Sequence, residues 1–158
     1  MSTANAPVAD AKGEAADRAA PAVVLDTNIV LDVFVFSDAA ALPLRQALAD
    51  GALRWIATAG MRDELARVLA YRQIVPRLTF YRLAATDVLA AFDRHTTLAT
   101  AAARAPVRCA DPDDQPFIDL AVHHRCALVS KDRAVLKMRK RLLALGVRTG
   151  AALAALPA

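Results

Sequence analysis

Ala22-Val23-Val24-Leu25-Asp26-Thr27-Asn28 reads as a short buried strand that ends on a carboxylate and runs directly into a helix. A continuous apolar run of this kind suits a strand of a parallel sheet, where both faces are covered. Asp26 then stands at the C-terminal edge of the sheet, the edge at which open α/β sheets bind their ligands. The same construction recurs at Ala127-Leu128-Val129-Ser130-Lys131-Asp132. Two strands that each deliver an acid to one edge suggest a metal site built from carboxylates.

Around these two strands the pattern alternates strand and helix, which favours an α/β domain with parallel strands. The spacing predicts a helix over 28–36 and a second over 39–50 that stops at Gly51. A strand follows at Leu53-Arg54-Trp55-Ile56-Ala57, and Thr58 suits the N-cap of a helix to about Tyr71. Pro76 opens one helical stretch to about Asp93. Either Thr96-Thr97-Leu98 or Val107-Arg108-Cys109 serves as the next strand. The acidic turn Asp111-Pro112-Asp113-Asp114 leads into a helix through about Arg125. After strand 127–130 come a basic helix, a short strand at Val147-Arg148-Thr149 and a terminal Ala/Leu helix. Residues 22–156 form a single domain without internal repeats, and residues 1–21 read as a disordered leader.

With 158 residues, of which 56% are hydrophobic and 23% charged, the chain is long enough for one sizeable core. No apolar run approaches the roughly 18 residues needed to cross a bilayer. The N-terminal segment lacks the apolar stretch of a signal peptide, and Asp10, Glu14 and Asp17 argue against an organelle transit peptide. Cys109 and Cys126 lie in apolar contexts without metal-ligand spacing, as reduced thiols of a cytoplasmic protein do. The net charge is +4 with a pI near 9.5. Lys131, Arg133, Lys137, Arg139, Lys140 and Arg141 crowd together just after the second acid-tipped strand. Such a segment suits a polyanionic ligand, and it equally suits a solvated helix face.

Helical geometry sorts the remaining acids. Met61, Leu65, Val68 and Leu69 share one face, Glu64 lies on its rim and Asp63 points away. An acid on that rim is either a metal ligand or a favourable charge near a helix N-terminus. In the next acidic helix, Asp114 shares the direction of Phe117 and Ile118, whereas Asp119 is rotated from it by about 140°. Asp114 could equally be an N-cap, and Asp111 and Asp113 turn or capping residues. Taken together, however, two strand ends and two helix beginnings face the same edge. Carboxylates about 4 Å apart repel by roughly 4 kcal/mol per pair at an effective dielectric near 20. Hard oxygen ligands without accompanying His or Cys select Mg²⁺ or Mn²⁺, and metals held this way commonly act on phosphate esters.

With these residues in view, the chain resembles the PIN-domain family of metal-dependent ribonucleases that includes VapC-like toxins. The resemblance rests on Val24-Leu25-Asp26-Thr27-Asn28, Met61-Arg62-Asp63-Glu64-Leu65, Asp111 through Ala121, and Leu128-Val129-Ser130-Lys131-Asp132. The last two motifs are most similar to the branch described as toxin–antitoxin components. Gln115 and Pro116 depart from the pattern, where similar proteins often carry another acid and a basic residue.

The resemblance implies a three-layer α/β/α fold with a central, mostly parallel sheet. It implies that Asp26, Glu64, Asp114 and Asp132 gather around one or two divalent metals, with Asp113 a further candidate. Asn28 would tie the site by hydrogen bonds, and Ser130 would position water or Asp132. RNA, an antitoxin protein and a second copy of the chain are the partners so implied. The expected activity is hydrolysis of phosphodiesters in single-stranded RNA, with Lys131, Arg133, Lys137, Lys140 and Arg141 on RNA phosphates. The alternative is a PIN domain that binds nucleic acid or a partner without cleaving. His95, His123 and His124 lack ligand spacing and are not expected in the chemistry. A phosphatase of the haloacid dehalogenase type would need an acid where Asn28 stands. A receiver domain would need an acid to phosphorylate at the end of a middle strand, and the sequence offers none.

Overall fold

The computed structural model describes residues 20–153. The leader expected over 1–21 and the terminal Ala/Leu helix therefore lie almost wholly outside the described residues. Strands and helices alternate: β1 (Ala22–Leu25), α1 (Thr27–Phe34), a 3₁₀ turn (Ala39–Ala41), α2 (Leu42–Ala49), β2 (Arg54–Ala57), α3 (Ala59–Leu69), α4 (Val75–Phe80), α5 (Ala85–His95) and β3 (Thr96–Leu98). A second 3₁₀ turn (Pro112–Asp114) leads into α6 (Gln115–His124), then β4 (Ala127–Val129), α7 (Arg133–Leu136), α8 (Arg139–Ala144) and β5 (Thr149–Gly150). The five strands lie in the order β3-β2-β1-β4-β5, and every neighbouring pair is parallel.

That order fixes the layers. From β1 the chain steps outward through β2 to β3, then returns past β1 to β4 and β5. Parallel crossovers are right-handed, so reversing the direction of travel moves the connecting helices to the opposite face. Helices α1 to α5 cover one face and α6 to α8 the other, giving the three-layer sandwich. Val23, Val24, Leu25, Leu128 and Val129 are buried, as strands covered on both faces require. Trp55 anchors the first layer, stacked 5.8 Å from Phe34 and edge-on 5.1 Å from Phe92.

One open choice is resolved and three local expectations change. Thr96–Leu98 takes the edge position beside β2, while 107–109 is drawn into a loop on the opposite layer. The single helix expected from Pro76 to Asp93 is broken after Phe80. Arg82 adopts a left-handed conformation (φ 56°), and α5 restarts where the Asp87 carboxylate accepts the Ala84 N–H at 2.8 Å. The basic helix is likewise two short helices, with Val135, Met138 and Leu142 all buried across the break. The last strand is Thr149–Gly150, two residues later than expected.

Candidate functional site

The sheet reverses its order between β1 and β4, and the crevice outside such a switch point is where doubly wound sheets bind ligands. Asp26 and Asp132 both stand there. The Asp26 N–H donates to the Val129 carbonyl at 3.1 Å, which extends the β1–β4 ladder by one residue. Its side chain is 4% exposed. One carboxylate oxygen caps α1 by accepting the Asn28 backbone N–H at 2.8 Å, and the other accepts the Ser130 hydroxyl at 2.7 Å. Burial pushes the Asp26 carboxyl above its usual range against the pull of these two donors, and the Asp132 charge adds to the rise.

Ser130 is fully buried and works in both directions. Its hydroxyl donates to Asp26 and accepts the Asp132 N–H at 3.1 Å, so one oxygen fixes both acidic strand ends. Asp132 in turn caps α7 by accepting the Ala134 N–H at 2.8 Å. The tie expected from Asn28 comes from its backbone N–H, which any residue but proline would supply. Its side chain is exposed and lines the cleft.

The acidic turn supplies the rest of the cluster. Oxygens of Asp111, Asp114 and Asp132 all lie within 4.8 Å of one another. Asp114 does not cap its helix, and its Oδ2 is buried without a hydrogen-bond partner. Burial, then the Asp132 charge and the close approach of its carboxylate, push the Asp114 carboxyl up to about 7. Asp111 caps the 3₁₀ turn by accepting the Asp113 N–H at 3.0 Å and still presents an oxygen to the cluster. As a turn residue in the sequence it stood outside the expected ligand set. One aspartate fills both roles because a carboxylate has two oxygens and several lone pairs.

Glu64 approaches from α3, whose N-terminus Thr58 caps through the Met61 N–H as its sequence predicts. The Thr27 hydroxyl donates to Glu64 Oε2 at 3.2 Å, a contact that residue spacing does not reveal. Burial raises the Glu64 carboxyl, and the charges of Asp26 and Asp113 raise it further. Glu64 forms a wall between two cavities. One, of about 240 Å³, is shared with Asp26, Asn28, Tyr71 and Asp114. The other, of about 380 Å³, is shared with Arg67, Pro112 and the exposed Asp113.

Gln115 and Asp119 have a different task. The buried Gln115 amide accepts the Cys109 N–H at 2.6 Å and donates to the Val107 carbonyl at 3.0 Å and to Asp119 at 2.8 Å. Asp119 also accepts the Ala105 N–H at 2.8 Å. Together they clamp the 105–109 loop onto α6 and so set the position of Asp111. Lys131 is joined by an ion pair to the buried Asp32, which neutralises it locally. Arg133, Lys137, Lys140 and Arg141 are exposed, Arg133 in the first turn after Asp132 and the others progressively further along the crossover. His123 and His124 are exposed at the C-terminal end of α6, and His95 stacks on Phe34.

The donor set fits a hard divalent cation. All its ligand atoms are carboxylate oxygens, their charges repel one another, and one buried oxygen lacks any partner. Asp111, Asp114 and Asp132 would hold the ion, with Asp26 on the adjoining wall. A doubly wound, all-parallel domain with an acidic cluster at its switch point fits a divalent-metal site. The chain belongs to the PIN domain family, whose model matches residues 22–134, and that family is one of nucleases. No match to a curated protein is found. Among the described residues, no single helix is long and apolar enough to cross a membrane.

Proposed function

We propose that this PIN domain is an endoribonuclease that hydrolyses phosphodiesters of single-stranded RNA with Mg²⁺ or Mn²⁺. The observation that carries the reading is the cluster of Asp111, Asp114 and Asp132 oxygens within 4.8 Å, with the buried, unpartnered Asp114 Oδ2 among them. A bound divalent ion would supply Lewis acidity toward a phosphoryl oxygen and lower the pKa of water. The protein's part is positioning. Ser130 holds the Asp26 and Asp132 ends in register, and Thr27 turns Glu64 toward the cleft. The raised affinities of Asp26, Glu64 and Asp114 for protons report a site tuned to receive positive charge.

Arg133, Lys137, Lys140 and Arg141 offer phosphate contacts on the α7–α8 side, whereas Lys131 already serves Asp32. The acidic-turn motif further supports a toxin role in the cytoplasm, with an antitoxin protein and a second copy of the chain as partners. The deciding experiment is cleavage of single-stranded RNA in Mg²⁺, Mn²⁺ or chelator, beside Asp26→Asn. Metal-dependent products ending in a 5′-phosphate, absent with the variant, are expected. Equal cleavage by both proteins in chelator would overturn the reading, and binding without cleavage would establish the non-catalytic alternative. Growth arrest on induced expression, relieved by the same substitution, tests the toxin role.

A further inference from the structure

The segment from Leu65 to Thr86 contains no acid in 22 residues, yet it carries Arg67, Arg72, Arg77 and Arg82. All four arginines are exposed, and none makes an ion pair among the described residues. In the same segment three aromatic side chains face solvent: Tyr71 at 47%, Phe80 at 79% and Tyr81 at 39%. Phe80 and Tyr81 meet edge-on at 5.1 Å, and Tyr81 lies 6.3 Å from Phe36, whose ring carries the Arg77 guanidinium 3.8 Å from its centroid. Single exposed apolar residues are ordinary on a protein surface, but a cluster of aromatics interleaved with arginines that make no ion pair among the described residues is not. Both cavities beside Glu64 open onto this segment, one lined by Arg67 and the other by Tyr71.

We infer that the acid-free segment from Arg67 to Arg82 is the surface that holds single-stranded nucleic acid beside the carboxylate site. Its arginines would take the phosphates, and Tyr71, Phe80 and Tyr81 would stack the bases. This rests on the nuclease reading and adds the binding surface that reading lacks. The chemistry fits a single strand, because only unpaired bases expose faces on which aromatic rings can stack. Charge favours the same ligand over a protein partner: a formal charge of +4 without one acid suits a polyanion. A strand laid here reaches the acidic cluster through the Tyr71 cavity and leaves toward Arg133 on the other side of the switch point.

The test is fluorescence anisotropy of the full chain in chelator, where no cleavage interferes, with a labelled oligouridylate of about a dozen nucleotides as probe. Phe80→Ala is expected to weaken binding about tenfold or more, as loss of one base–aromatic stack does. Arg72→Gln with Arg82→Gln should flatten the slope of log affinity against log salt by about 1.4. Arg148→Gln, at the opposite edge of the sheet, should leave that slope unchanged. Duplex RNA should lose little affinity on Phe80→Ala. Unchanged oligouridylate affinity in both segment variants would overturn the inference, and so would a change of oligomeric state in place of a change in affinity. Metal-dependent cleavage that persists in those same variants would leave the nuclease reading standing, so the two can fail separately.

Discussion

Replacing Asp114 by Asn should stabilise the metal-free protein, and only above mildly acidic pH. In the folded chain the Asp114 carboxyl is raised from its ordinary 3.8 to about 7, and the unfolded chain restores the ordinary value. Below about pH 4 both states are protonated and the residue contributes nothing. As pH rises, the unfolded state loses its proton first, so folding stability falls until the folded carboxyl also ionises near pH 7. A rise of about 3 units corresponds to roughly 4 kcal/mol. Asp114 is only half-buried, and solvent screening reduces that to about 2 kcal/mol. Asn keeps the shape without the charge, so in chelator at pH 8 the variant should melt about 6 °C above wild type. At pH 4 the two should coincide. Differential scanning fluorimetry from pH 4 to pH 8.5 in chelator reads this directly. Adding Mn²⁺ should then stabilise wild type more than the variant, because only the intact cluster binds the ion tightly. A variant that melts at or below wild type throughout, or a difference independent of pH, would refute the crowding argument.

Calorimetric titration with Mn²⁺ should rank the neighbouring acids, with Asp119→Asn keeping most of the binding because its oxygens serve Ala105 and Gln115. Asp113→Asn should fall between Asp119→Asn and Asp114→Asn, since Asp113 is exposed and acts on Glu64 from the next cavity. Gln115→Ala leaves the Cys109 N–H and the Val107 carbonyl without partners, and it should lower stability by about 1–3 kcal/mol on urea unfolding and weaken Mn²⁺ binding through Asp111. Neutralising Lys137, Lys140 and Arg141 together should flatten the salt dependence of RNA binding by about two units without altering Mn²⁺ binding, and an unchanged slope would return these residues to a plain solvated face.

The two acid-tipped strands were legible because everything that defines them is local: an apolar run, an acid, then a helix start. Parallel pairing followed from the alternation of such units, and the three layers and the PIN membership from the resemblance carried by the four acidic motifs. The breaks at Arg82 and Lys137 were not legible, because uninterrupted helical propensity continues through both. Leu78 and Val88 are buried on either side of the first break, and Val135 and Leu142 on either side of the second, a tertiary feature that local propensity does not encode. Asp111 stood outside the expected ligand set for a different reason. An Asp before a turn explains itself as a cap, and its free oxygen matters only once Asp132 stands nearby. Thr27 and Gln115 likewise acquire their roles from partners that the sequence does not place beside them, although Gln115 had already stood out as a departure from the family pattern.

The Ser130 hydroxyl joins Asp26 across 104 positions of the chain. Asp26 directly follows the first strand of the domain, whereas Ser130 and Asp132 follow the fourth, and only pairing of β1 with β4 brings them together. Such distant pairings form slowly, and a polypeptide emerging from the ribosome folds its N-terminal portion first. A nascent chain that has delivered β1, β2 and β3 therefore carries Asp26 and Glu64 but none of Asp111, Asp114 and Asp132. A product of synthesis interrupted before β4 cannot bring Ser130 and Asp132 to Asp26, so the acidic site assembles only late in synthesis.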